Sequence, residues 1–429
     1  MLIRQCALLI VGFLLGLRPA EAILTIKITK SIEGALPIAI VPFGARAPAP
    51  IDIAEVVSSD LAGSGRFAPL PTADMPSQPH EFSAINFTDW RKLGVDYLVV
   101  GTTVAGPSGD YQVEFRLIDI YKGEQLMGYR IPTSSRGLRL TAHQISDLIY
   151  AKLLGSKGAF ATRIAYITVE GANRNRTYEL QIADADGHNP RTLLRSRQPL
   201  MSPTWSPDGK RLAYVSFEGY NSAIYVQDIE TGHREVVASG PGLNSAPAWS
   251  PDEQRLAMTL SRDGNPEIYV LHLASRRLQR ITEDPAIDTE PAWSPDGNSL
   301  AFTSDRGGKP QIYQVSADGG RPRRLTHEGS YNARPSFSAD GKLLTMVHGD
   351  GRGYRIAVLE LATEQLTVLT DTSLDESPSF APNNTMIIYA TVGKGGTELA
   401  AISVDGHIRQ QLALPGGEVR EPTWGPFRK

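Results

Sequence analysis

The chain has 429 residues, enough for two or three domains. Hydrophobic residues make up 41% and charged residues 21%, the composition of a water-soluble folded protein, which excludes a disordered chain and a polytopic membrane protein. Lys plus Arg number 43 against 46 Asp plus Glu, so no nucleic-acid partner is expected, and 40 Gly with 30 Pro favour many short strands joined by turns.

Residues 1–22 read as a signal peptide. Arg4 supplies the positive start, Ala7 to Leu17 an eleven-residue apolar core, and Ala20-Glu21-Ala22 a small-x-small cleavage site. Export follows, with a mature chain from Ile23. Eleven apolar residues are too few to cross a bilayer, and no later stretch approaches the roughly eighteen required, so the mature chain is expected to have no transmembrane span. Cys6 is the only cysteine, so cleavage leaves neither a disulfide nor a thiolate metal site.

Residues 23–160 read as an α/β domain. The expected order is a strand over 36–43, a helix over 51–65, a short strand over 67–70, and a helix over 87–94 with Thr88 as N-cap. Strands over 95–106, 111–120 and 123–133 follow, then a helix from Leu138 to Leu154 and a Gly-Ser-Lys-Gly linker at 155–158. A mixed sheet accommodates this order.

Residues 161–429 are repetitive. PTWSPDGKRLAYVS (203–216), PAWSPDEQRLAMTL (247–260) and PAWSPDGNSLAFTS (291–304) are near-copies, followed by weaker ones at 335–348 and 378–391 and a final PTWGP at 422–426. The aromatic register Trp205, Trp249, Trp293, Phe337, Phe380, Trp424 repeats every 43 or 44 residues, the length of one four-stranded propeller blade. Six positions predict an all-β six-bladed β-propeller. RIAYITVEG (163–171) matches RLAYVSFEG (211–219) but lacks a preceding inner strand, whereas 422–426 is an inner strand with nothing after it. The two ends are expected to close the ring together, which removes two exposed edges.

Catalytic signatures are mostly missing from the sequence. Neither His80-Glu81 nor His327-Glu328 has the second His of a zinc-protease helix, and no Gly-x-Ser-x-Gly elbow occurs. Gly349 to Gly353 joins two strands and reads as a plain loop. Asp208, Asp296 and Asp340 recur at blade spacing and read as turn residues rather than a metal ring, so neither metal nor cofactor is expected. Asp288, Glu290, Asp375 and Glu376 are placed in loops just before inner strands, at the funnel mouth, where no turn demands a carboxylate. They read as either a solvated rim or a partner contact.

In an up-and-down blade, the second-to-third and fourth-to-first loops share one face. That face varies from blade to blade, while the opposite face repeats near-identical turns. A specific partner is therefore expected around Met201, Asn244, Thr289, Glu290, Asn332, Arg334 and Glu376.

QPLMSPTWSPDGKRLAYVSFE (198–218), DTEPAWSPDGNSLAFTSD (288–305), LDESPSFAPNNTMIIYA (374–390), KGAFATRIAYI (157–167) and IVPF (40–43) resemble the TolB family, the periplasmic component of the Tol-Pal system. The resemblance covers Ile23 to the C-terminus. It implies a periplasmic, non-enzymatic adaptor that binds the lipoprotein Pal through a propeller face and TolA through its N-terminus, in outer-membrane integrity and constriction during division. It also implies a monomer within a larger envelope complex. Pro199, Leu200 and Met201 match the family's Pro-Leu-Met-Ser-Pro loop, and Thr289 and Glu290 its Thr-Glu-Pro loop. Ile23, Thr25, Ile26, Lys27, Ile28 and Thr29 occupy the place of its short N-terminal strand, here more basic. The chain departs at Leu243, where the family carries a histidine. The competing expectation is a propeller-bearing periplasmic enzyme, related to sugar lyases or peptidases.

Overall fold

The computed structural model describes residues 24–27, 34–45, 49–107, 109–172, 175–393, 396–412 and 417–428. The expected signal segment 1–22 lies outside them, as do Ile23, Ile28 and Thr29.

The N-terminal domain is a mixed sheet in the order Phe67–Pro69, Leu36–Ile40, Tyr97–Ala105, Asp110–Asp119, Glu124–Ser134. The first three strands run parallel and the last two antiparallel. Helices α1 (Ile53–Gly63) and α3 (Leu138–Leu154) pack on one side, where Val57, Leu61, Ile145 and Ile149 join Val99, Val113 and Phe115 in one buried cluster. On the other side α2 (Phe87–Lys92) inserts Trp90 among Val41, Leu98, Val100 and Ile118. Each helix starts where a short polar side chain or a turn can serve the free amides. Asp52 accepts the N–H groups of Ala54 (2.9 Å) and Glu55 (3.2 Å) at the head of α1. At α2 the cap is Asn86 rather than Thr88. Asn86 is extended and its amide oxygen accepts the Thr88 N–H at 3.2 Å, which places Thr88 inside the helix. Gly155, at φ 75°, ends α3 in the left-handed conformation that glycine adopts without a Cβ penalty.

The rest of the described chain forms six antiparallel blades around an axis, so the fold class is the expected one: an α/β domain followed by a six-bladed β-propeller. The inner strands are Glu418–Trp424 in blade one, Leu200–Trp205 in blade two, Asn244–Trp249 in blade three, Asp288–Trp293 in blade four, Tyr331–Phe337 in blade five and Asp375–Phe380 in blade six. Blade one takes its inner strand from the C-terminus: Thr423 pairs with Ala165 and Trp424 with Ile164 of Arg163–Glu170. Neighbouring blades stick through repeated apolar and cation–π contacts. Arg163 lies over Trp205 (5.0 Å), Arg211 over Trp249 (4.6 Å) and Arg255 over Trp293 (4.5 Å).

The Ser-Pro-Asp-Gly segments are tight turns, and their aspartates serve the backbone. Asp208 accepts Ser206 Oγ at 2.6 Å and the Lys210 N–H at 3.0 Å, with Gly209 at φ 68°. The same contacts recur at Asp296 and Asp340.

The N-terminal domain rests on the turn side of blades one and six. Asp147 of α3 accepts the N–H groups of Phe160 (2.9 Å) and Ala161 (3.3 Å), which fixes the linker, and Asn383 in a blade-six turn donates to the Lys157 carbonyl (3.2 Å). Leu24–Lys27 pairs antiparallel with Arg409–Leu412, so the N-terminal segment forms a fifth strand on the outer edge of blade six. Thr25, Ile26 and Lys27 lie in that strand, opposite Gln411, Gln410 and Arg409.

Candidate partner-binding face

Every inner strand has the same local defect, and proline is its cause. Pro203, Pro247, Pro291, Pro335, Pro378 and Pro422 have no N–H to give, so the ladder skips a step at each of them. The residue before each proline turns left-handed: Ser202, Ala246, Glu290, Arg334, Ser377 and Glu421 have φ between 47° and 57°. These six residues line a central channel of about 550 Å³.

Three of the six form one charge network. Arg334 Nε lies 3.2 Å from Glu290 Oε1 and its Nη2 3.0 Å from Glu421 Oε2, while Nη1 donates to Ser377 Oγ. Glu290 Oε2 also accepts the Arg334 N–H (3.0 Å) and Thr303 Oγ1 (2.9 Å), and Glu421 accepts the Ser202 N–H (2.6 Å). Burial alone would loosen the guanidinium's proton, but the charges of Glu421 and Glu290 hold its pKa well above the ordinary value.

The residues singled out in the sequence divide by depth. Leu200, Asn244, Asp288, Asn332 and Asp375 occupy one equivalent position in five consecutive blades, and that position is buried in all five. The expectation that Asp288 and Asp375 stand exposed in loops ahead of the inner strands is therefore corrected, since each begins its strand at 0% exposure. The four polar side chains bind nearby polar groups of strands and loops. Asp288 accepts Arg306 Nη2 at 2.6 Å, and Asp375 accepts Thr372 Oγ1. Asn244 donates to the carbonyls of Ser222 (2.9 Å) and Gly240 (3.0 Å), and Asn332 to Gln311 Oε1 (2.9 Å).

Glu290 and Glu376 are likewise within inner strands but remain half-accessible, as do Pro199, Thr289 and Arg334. Met201 is exposed. Leu243 is half-buried, and its N–H donates to Ser261 Oγ at 2.7 Å.

Sequence reasoning missed the apolar character of this face. Ile287 and Leu374 on fourth-to-first connections, Met201 one residue into its inner strand, Tyr220 on a second-to-third connection, and Tyr354 and Val392 at the strand ends that flank such connections all expose large apolar side chains, Tyr220 to 89%. Val236 and Val368 are exposed on outer strands, and among the described residues no large apolar side chain is exposed within the tight turns of the opposite face. Tyr354 packs edge-on against Tyr331 at 5.0 Å. Glu421 was missed as well, although its place before Pro422 puts it in register with Glu290 and Arg334.

Comparison with known proteins accords with this architecture. Residues 150–428 match the model of the TolB beta propeller domain, and residues 24–126 that of the TolB amino-terminal domain. The chain is 65% identical to the Tol-Pal system protein TolB of Thioalkalivibrio sulfidiphilus over 412 residues, 95% of each chain. It is also 65% identical to that of Nitrosococcus oceani over 407 residues, 94% of each. The crystal structure of TolB from Acinetobacter baumannii superimposes with a TM-score of 0.87 at 43% identity, covering 94% of this chain and 100% of that one. Sequence, blade count and domain order agree, and the chain belongs to the TolB family of the Tol-Pal system.

Proposed function

We propose that the chain is a periplasmic, non-enzymatic adaptor of the Tol-Pal system, exported through a signal peptide at 1–22 and monomeric within a larger envelope complex. It binds the lipoprotein Pal through the loop face of the propeller and TolA through its N-terminal segment, in support of outer-membrane integrity and constriction during division. The observation that carries this reading is the asymmetry of the two propeller faces. One is partly covered by the N-terminal domain and consists of near-identical turns, while the other presents exposed Met201, Tyr220, Ile287, Tyr354 and Leu374 around a polar channel mouth. Apolar anchors around a polar centre are the composition of a protein-binding surface. Glu290 and Glu421 both pair with Arg334, an arrangement that suits a rigid docking rim better than acid–base chemistry.

Calorimetric titration with Pal tests the assignment. Met201→Arg and Thr289→Arg on the loop face should each weaken binding by about 1–3 kcal/mol. Asp208→Arg and Lys210→Glu on the turn face should leave it unchanged. Loss of affinity confined to the turn-face pair would overturn the reading.

A further inference from the structure

One buried histidine sits in the contact between the two domains. His143 of α3 is 1% exposed. Its Nδ1 lies 2.8 Å from Asp60 Oδ2 on α1, an oxygen that also accepts Ser146 Oγ at 2.7 Å. Its Nε2 lies 3.5 Å from Asp186 Oδ2, and Asp186 belongs to the propeller, in the turn between the third and fourth strands of blade one. Nε2 has no hydrogen-bond partner despite its burial.

This placement discriminates between protonation states. A neutral ring that donates Nδ1–H to Asp60 turns a bare lone pair toward a carboxylate across the domain boundary, acceptor against acceptor. A charged ring donates Nδ1–H to Asp60 and brings its positive charge within 3.5 Å of Asp186. The other charges nearby are accounted for. On α3, Arg139 pairs with Asp186, and Asp147 is held by the linker amides. From blade one, His188 Nδ1 lies 3.2 Å from Asp186, and Asp184 is paired with Arg428 at 2.7 Å. Burial would lower the imidazole pKa, but the charge and hydrogen bond of Asp60, with the charges of Asp186 and Asp184, raise it to about 9. Asp60, His143 and Asp186 are close enough together to ligate a cation. With the ring charged, however, His143 and Arg139 already balance the two carboxylates.

We propose that His143 is a proton-dependent latch between the two domains. The charged ring draws Asp60 of the N-terminal domain and Asp186 of the propeller onto one cation, and loss of the proton sets a lone pair against Asp186 and loosens the contact, leaving Arg139 as the cation on Asp186. Beside the latch lies a cavity of about 290 Å³, walled by Tyr150 and Phe160 on one side and by Met386, Val404 and Trp424 on the other. Loosening opens these apolar walls to water. Asp60 stays beside His143 when the domains part, so only the share of the upward shift that Asp186 and Asp184 supply is linked to docking; the ring's contribution to docking is fully present at low pH and is lost as pH rises through about 9.

The test uses the full mature chain between pH 7.5 and 10, above the titration of Asp147, which holds the linker amides. It reads hydrogen exchange at the 155–163 linker, corrected for the intrinsic pH dependence of exchange, and the fluorescence of an apolar dye. In the wild type both should rise with pH, the exchange by roughly one to two orders of magnitude. In His143→Gln and Asp186→Asn both should be flat. NMR titration of the His143 ring is run in the wild type and in Asp186→Asn, because Asp60 by itself also raises the midpoint. A wild-type midpoint above 6.5 that falls when the Asp186 charge is removed supports the latch, and one that does not move overturns it. A midpoint at or below 6.5, pH-independent linker protection in the wild type, or wild-type pH dependence retained in His143→Gln would overturn it.

Discussion

Trp424 donates its indole N–H to Thr162 Oγ1 at 2.8 Å, tying the last strand of the chain to the residue that immediately precedes the first strand of the propeller. Thr162 in turn donates to the Ala159 carbonyl, so the closure and the domain linker share one hydrogen-bond chain.

That chain makes ring closure sensitive to small changes. Trp424→Ala should lower stability by on the order of 2–3 kcal/mol, less than a fully buried tryptophan would because the indole is only half-buried. Gly425→Ala should also destabilise, since a Cβ there would stand 2.8 Å from the Arg163 carbonyl. Deletion of 421–429 should exceed both. Thermal unfolding of the three variants checks the order, and a deletion with an unchanged midpoint would contradict closure at this seam.

The channel network predicts strong non-additivity. Arg334→Met leaves Glu290 and Glu421 facing each other without their cation, and should cost about 1–3 kcal/mol. Adding Glu290→Gln and Glu421→Gln should recover much of that loss, because the desolvated charges go with it. Denaturant titration of the single and triple variants measures the coupling. Simple additivity would show that the three groups act independently.

Asp147 should titrate far from an ordinary carboxylate. Burial raises its pKa to about 6, against the opposing pull of the Phe160 and Ala161 amides. The folded state therefore holds this proton more tightly than the unfolded chain, and the group's contribution to stability declines as pH rises from about 4 through about 6. A carboxyl NMR titration should give a midpoint near 6, and one below 4 would refute this placement. Asp147→Asn should loosen the linker at every pH, because one amide oxygen cannot serve two N–H groups on separate oxygens.

The N-terminal strand is expected to be exchangeable. Four paired residues on a blade edge are a small contact, and an extended segment of this kind can add to another sheet equally well. Removal of residues 23–34 should abolish TolA binding in solution titration while leaving the propeller's melting midpoint within about 2 °C, the effect of a few tenths of a kcal/mol. Unaltered TolA binding would sink the role proposed for the segment.

The blade count and the helices were legible because they rest on local chemistry repeated at fixed spacing. Trp-Ser-Pro-Asp-Gly names its own turn, and Leu138 to Leu154 carries its helix between a flexible glycine start and Gly155. Asn86 outcompeted Thr88 as a cap because the choice depends on which backbone is extended, which neither letter reveals. The depth of Asn244, Asp288, Asn332 and Asp375 was hidden for a related reason. Polar residues are usually exposed, and only the packed loops show the donors and acceptors that these side chains satisfy. His143 and Asp186 meet across 43 positions and a domain boundary, while in the sequence Asp186 reads as one more turn residue before Gly187.

The left-handed step before each inner-strand proline separates the channel's shape from its chemistry. The backbone is alike in all six blades, yet the six positions carry Ser, Ala, Glu, Arg, Ser and Glu. The charge on the axis is therefore set by which side chains occupy these six positions, with Glu290, Arg334 and Glu421 coupled to one another. One repeated backbone step thus gives the centre of the ring six walls of differing charge.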